Sequence, residues 1–451
     1  MHEERQRGQL VTKVRRELVA GALLAFCAVA HAGAPPPFSP ELFLDWDDLR
    51  DLLRQQGVDF RFSYVSETAT NLQGGDQQLW RYTDQLTFWG ALDLQKLFGF
   101  PQARFNIVIT DRNGRNLSTD ADLGSLQQVQ ELYGRNQTWR WTEFWYDQSY
   151  LDGKLDWKVG RMPEGDDFGS FSCEFMNLTF CGSPPGNIAG SYWYNWPVSQ
   201  FATRLKATFA GLGYIEMGAY AVNPSLLLTR NALNLGNPAG TTGVLAPLEI
   251  GWLPSLHGLA GSYKLGAWYS SATAPDVVEN VGGEPLAIAG GTPLMRHGQY
   301  GAYVNFQQRL TAPSGGDSSR GLSVFANATY ADRRTSVLDS QVAIGLLYSG
   351  PIRSRPLDEL GLAAGETHVN PRVADVERLE DALDDGTTEA SGYAYEPVPV
   401  QSSEWVGEVF YNIHLRGWLD LRPNFQYVAQ PGGVARSASD VIFGLRLAAN
   451  L

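Results

Sequence analysis

Beyond residue 32 the 451-residue chain contains no apolar stretch approaching the roughly 20 residues that a membrane-spanning helix requires. It holds only three cysteines and six histidines, and HExxH, GxSxG and P-loop motifs are missing. These absences exclude a helical membrane bundle and leave the common hydrolase and nucleotide chemistries without residues to run them. Basic charge is scarce as well, with 35 Lys and Arg against 48 Asp and Glu. Such a balance does not suit nucleic acid or an anionic membrane surface as a partner.

What is present begins with an export signal. Arg5, Arg7, Lys13, Arg15 and Arg16 precede an apolar stretch from Leu18 to Ala30, and Ala30-His31-Ala32 supplies the small-x-small cleavage pattern. Residues 1–32 therefore read as a signal peptide. Cys27 leaves with it, and bulky Phe26 stands where a lipoprotein anchor needs a small residue. Cleavage removes five basic and three acidic residues, leaving 30 and 45 and a net charge of −15. Two cysteines remain, Cys173 and Cys181, and export to an oxidising compartment predicts that they pair.

The full chain is rich in aromatics and glycine, with 19 Tyr, 21 Phe, 13 Trp and 48 Gly, yet its mean hydropathy is only −0.22. Residues 33–57 read as a Gly/Pro-rich leader and a short helix that starts at Ser39-Pro40 and ends at Gly57. From Val58 onward the pattern has a period of two. Phe105, Ile107 and Ile109 oppose Arg104, Asn106, Thr110 and Arg112, while Val441, Phe443, Leu445 and Leu447 oppose Arg446 and Asn450. Alternation of this kind marks strands with one apolar and one polar face. About sixteen such segments follow between 58 and 450. Tight turns at Gly99-Phe100-Pro101, Asp152-Gly153, Gly211-Leu212-Gly213 and Arg416-Gly417 alternate with long segments near 113–139, 162–199, 223–246, 272–297 and 371–402. Sorting of short and long links by side is the plan of an outer-membrane barrel. The sequence thus predicts an all-β fold, a transmembrane antiparallel barrel of about sixteen strands over 58–451, with long external loops.

Charged residues on the polar faces should line water, because Arg or Lys facing the bilayer midplane costs about 2–4 kcal/mol. Candidates for a selective path are Arg104 and Asn106, then Glu143 and Asp147 with Trp141 and Trp145 on their face, then Arg204 and Lys206, and Arg422 in the row Asp420, Arg422, Asn424, Gln426. Each fits an ordinary solvated wall equally well. The segment 162–199 adds Glu164, Asp166 and Asp167, both cysteines, and the aromatics Tyr192, Trp193, Tyr194 and Trp196. A long stapled loop can fold into a pore; aromatic faces suit the C–H face of a sugar, and carboxylates, amides and guanidinium groups suit its hydroxyls. The same rings fit an anchoring role. The acidic group at 164–167 reads as a solvated mouth rather than a calcium site, and no cofactor or metal is expected. Strict alternation would aim Arg161 at lipid, so the strand is expected to end or bend there and turn it toward the mouth.

Three stretches carry a family resemblance: EFWYDQSYLDGKLDWKVGRMPEGDDF (143–168), FSCEFMNLTFCGSPPGNIAGSYWYNWPVSQ (171–200) and LRPNFQYVAQPGG (421–433), with VIFGLRLAANL at the end. They resemble the carbohydrate-selective outer-membrane porins of the OprB type. The resemblance implies a 16-stranded barrel in the outer membrane of a Gram-negative bacterium, admitting glucose-like sugars passively. Its partners would be small sugars and outer-membrane lipid, and a homo-oligomer is compatible with it. Leu451 departs from the aromatic residue with which such barrels commonly end. The alternatives are a general or ion-selective porin of the same fold, and a membrane-embedded hydrolase using His414.

Overall fold

The computed structural model describes residues 49–171, 173–312, 320–385 and 398–451. The signal peptide and most of the leader fall outside them. Residues 49–55 are helical and belong to a unit, ending at Gln55, separate from the one that follows.

From Val58 the chain builds one closed antiparallel sheet of sixteen strands. They are β1 Val58–Gln73, β2 Trp80–Asp93, β3 Ala103–Gly114, β4 Trp139–Tyr150, β5 Leu155–Met162, β6 Gln200–Phe209, β7 Gly213–Val222, β8 Gly243–Trp252, β9 Leu259–Asn280, β10 Pro293–Arg309, β11 Gly321–Ala331, β12 Leu338–Ser349, β13 Glu359–Val369, β14 Ser403–Arg416, β15 Leu419–Ala429 and β16 Asp440–Asn450. A two-residue ladder, Ser255–Leu256 on Leu259 and Ala260, tightens the β8–β9 turn. Each strand pairs with its neighbour in sequence, and β1 closes the ring on β16. The last residue takes part in closure: Leu451 and Phe62 exchange backbone hydrogen bonds of 2.8 and 3.1 Å.

Every expected strand is present, and alternation follows the barrel wall. Leu265, Ile344 and Leu362 face outward with more than half of their surface exposed, whereas Glu67, Gln341, Glu408 and Gln426 face inward and are buried. Inward glycines make room for aromatic rings from the adjacent strand. A Cβ on Gly266 would lie 2.1 Å from the Tyr303 ring, and one on Gly361 2.2 Å from Phe410. Substituting either would force a ring out of place.

Parity fails at a bulge among the candidate residues. In β4, Val108 pairs with Glu143 but Ile109 pairs with Trp141, so Thr142 is the extra residue of a bulge. A bulge shifts the residues beyond it to the opposite face. Trp141 therefore joins the outward side, edge-on to Phe144 and with its indole N–H on the Leu233 carbonyl, instead of sharing a face with Glu143 and Asp147.

The segment expected as a long loop at 371–402 contains a helix, Pro371–Asp385. Asn370 starts it, accepting the Arg372 N–H.

Candidate functional site

Two long external loops fold into the barrel. The loop 115–138 between β3 and β4 and the loop 163–199 between β5 and β6 meet through backbone hydrogen bonds, Glu131 N–H to the Met176 carbonyl and Leu178 N–H to the Gln128 carbonyl, both 2.9 Å. Cys173 and Cys181 are joined in a disulfide. Phe175 and Phe180 pack on the inward rings Phe325 and Phe410, which seats the stapled part of the loop on the wall.

Nine of the expected residues form one polar cluster on β3–β7 and the facing loop. Asn106 donates to Glu143 Oε2 at 2.6 Å, and the Trp145 indole N–H donates to the same oxygen at 2.7 Å. The Asp166 carboxyl lies within hydrogen-bonding reach of Glu143 and is open to the lumen. Arg104 pairs with Asp147 at 3.5 Å, its guanidinium 5.3 Å from the Trp145 ring centre. Arg204 is bound to Asp156 and lies 3.5 Å from Asp167, while Lys206 lies 3.5 Å from Glu216 and over the Tyr214 ring. A cavity of about 640 Å³ opens beside Arg104, Asp147, Ser149 and Asp156 toward the short-turn end of the barrel.

Arg422 lies elsewhere, on β15. It bonds Glu174 of loop 163–199 at 2.9 Å and rests on the Phe410 ring. A second cavity, of about 240 Å³, lies there beside Asn412 and Arg446.

Three expectations are corrected by burial. Trp193 is completely buried, packed on Trp268 and Tyr303 with ring centres 5.3 and 6.2 Å away, so it is a loop anchor and presents no face to a solute. Glu164 is completely buried too. It accepts the Tyr194 N–H at 3.0 Å and bonds Gln200, and burial pushes its carboxyl up to about 8. Arg161 does not reach the mouth. Its strand continues to Met162, and the guanidinium is covered, with Nε on Ser199 Oγ at 3.0 Å and Nη1 on the Asn234 carbonyl at 2.6 Å. Loop groups hold it there, which sequence alternation cannot reveal.

The sequence reading missed Lys158. It faces inward from β5, 2.8 Å from Asp167 and 4.7 Å from the Trp145 ring centre. Its place opposite Trp157 in the alternation was the available signal. It also missed a second charged group, in which Arg446 bridges Glu67 of β1 and Glu131 of loop 115–138 at 3.0 and 2.8 Å, with Arg112 bound to Gln85 nearby. Glu131 comes from a loop, so no strand period pointed to it. His414 bonds Asp420 at 2.9 Å, and no serine hydroxyl is among its partners in the described residues.

A family model for the carbohydrate-selective porin, OprB family, matches residues 77–451. Porin B of Pseudomonas aeruginosa is 42% identical over 439 residues, covering 95% of this chain and 96% of that protein. The putative porin QuiX of Acinetobacter baylyi is 35% identical over 426 residues, covering 90% and 92%. Among solved structures, the high-pH structure of Pseudomonas putida OprB superposes with a TM-score of 0.85 at 42% identity, covering 90% of this chain and 97% of that one.

Proposed function

The chain belongs to the OprB family of carbohydrate-selective porins, and from that membership we propose where its sugar path runs. The protein is an outer-membrane pore through which small sugars diffuse passively. The path passes between loop 163–199 and the wall of β3–β7, and favours glucose-like monosaccharides.

The observation that carries this reading is the interleaving of acid and base in that cluster. Arg104, Lys158, Arg204 and Lys206 each lie against a carboxylate, so the wall offers donors and acceptors while much of its field cancels locally. A neutral polyol can exchange hydrogen bonds with such a surface, whereas a bare ion gains little and loses hydration. Arg104, with 57% of its side chain exposed, and the lumen-facing Asp166 are the groups a solute would meet. We assign no catalytic step: among the described residues the His414 ring bonds Asp420, and no serine hydroxyl is among its hydrogen-bond partners. Residues 1–32 are assigned to a leader removed on export, on the strength of their basic start and Ala-x-Ala end.

Planar-bilayer conductance tests the path. Glucose should reduce the ion current, and Arg104→Ala should weaken that block with the barrel intact. A current that glucose leaves unchanged would remove the reading.

A further inference from the structure

Loops folded into a barrel must be held against thermal motion, and their backbone N–H groups must find acceptors inside it. Three inward glutamates of the wall meet that need. Glu408 of β14 is 2% exposed; its Oε1 accepts the Met176 N–H at 2.9 Å and its Oε2 the Asn177 N–H at 2.8 Å, both from loop 163–199. Glu404, four residues earlier and fully buried, accepts the Leu126 and Gln127 N–H groups of loop 115–138 at 2.6 and 3.3 Å, and the Gly432 N–H at 3.0 Å. Glu249 of β8 accepts the Gly169 N–H at 2.7 Å.

Among the described residues none of these three carboxylates forms an ion pair. A buried carboxylate without a counter-ion is costly and is tolerated only where hydrogen bonds replace its water. Here the two loops supply the replacements at Glu408 and most of those at Glu404, while the Tyr214 and Tyr303 hydroxyls join the Gly169 N–H at Glu249. Gln426 of β15, opposite Glu408, ties the same two loops together: it donates to the Val129 carbonyl at 3.0 Å and accepts from Asn177 Nδ2 at 2.9 Å. Loop positions 126–129 and 176–177 are thus fixed to one strip of wall, opposite the charged cluster on β3–β7.

We propose that Glu404 and Glu408 are positioning residues for the sugar path: by gripping the backbones of both inward loops they set the width of the passage, and hence which sugars enter. The proposal rests on the sugar-path reading above. Neither residue need touch a sugar. Glu408→Ala frees two N–H groups of loop 163–199, and Glu408→Gln, with one acceptor oxygen, keeps a single bond.

Hydrogen exchange and liposome swelling with the full-length protein test this. In the wild type the Met176 and Asn177 amides should be among the most protected of their loop. Their exchange should quicken by about tenfold or more in Glu408→Ala, the scale of lost hydrogen bonds to a charged acceptor, and by less in Glu408→Gln. The permeability of a disaccharide relative to glucose should rise in the same order, with strand content unchanged by circular dichroism. A folded Glu408→Ala with unchanged sugar ratio overturns the proposal. Should that variant not fold, fast exchange at Met176 and Asn177 in the wild type overturns it instead. A wild type that shows no preference among solutes would defeat the sugar reading, while the exchange result would still report on the grip.

Discussion

At the scale of single residues, aromatic and charged side chains of loop 163–199 divide into those that hold the loop and those that can meet a solute. Trp193 holds it. Trp193→Ala removes a ring buried against Trp268 and Tyr303, a truncation that costs about 3–5 kcal/mol in a packed site. Amide exchange across the loop should quicken and channel current should become larger or noisier, while circular dichroism still reports a barrel. Glu164 gives a pH signature. Burial raises its carboxyl from 4.5 to about 8, so between those values the unfolded chain ionises while the folded loop keeps its proton. Its contribution therefore falls as pH rises through that window, and is constant below it. Glu164→Gln should flatten the decline in loop protection between these pH values; an identical slope in the variant would contradict the assignment. Cys173 and Cys181 should resist thiol labelling without reductant, and labelled thiols in the exported protein would contradict the staple.

At the scale of elements, the strands were legible because inside and outside of the wall impose opposite chemistry on alternate residues. All sixteen were expected near their observed positions, including the short β5 and β7. The exceptions have local causes. The bulge at Thr142 reverses parity for Trp141, and a bulge has no periodic signal of its own. The long β9, running to Asn280, was expected to stop near 271, because alternation weakens where a strand rises beyond lipid. The helix Pro371–Asp385 carried an Asn370 start and a Pro at its first position, signals that a search for alternation passes over. Partners of the candidate residues were legible only when both lay on strands. Arg161 and Glu131 depend on loop geometry that no spacing encodes. Gly266 shows how the elements interlock. Gly266→Val should destabilise the barrel by about 1–3 kcal/mol, because its Cβ needs the space of the Tyr303 ring, and should lower its urea midpoint.

At the scale of the whole molecule, a closed wall with an apolar exterior fixes the protein in the outer membrane, and two inward loops narrow its interior. The wall alone would make a general pore. Selectivity requires that the narrowed path prefer neutral, hydroxyl-rich solutes over ions of comparable size, and in the path proposed above that preference is assigned to the paired charges on β3–β7. No energy source enters this scheme, so uptake follows the concentration gradient. Liposome swelling with the purified full-length protein measures the claim most directly. Glucose should enter faster than amino acids or salts of similar size; equal rates for all of them would contradict the account.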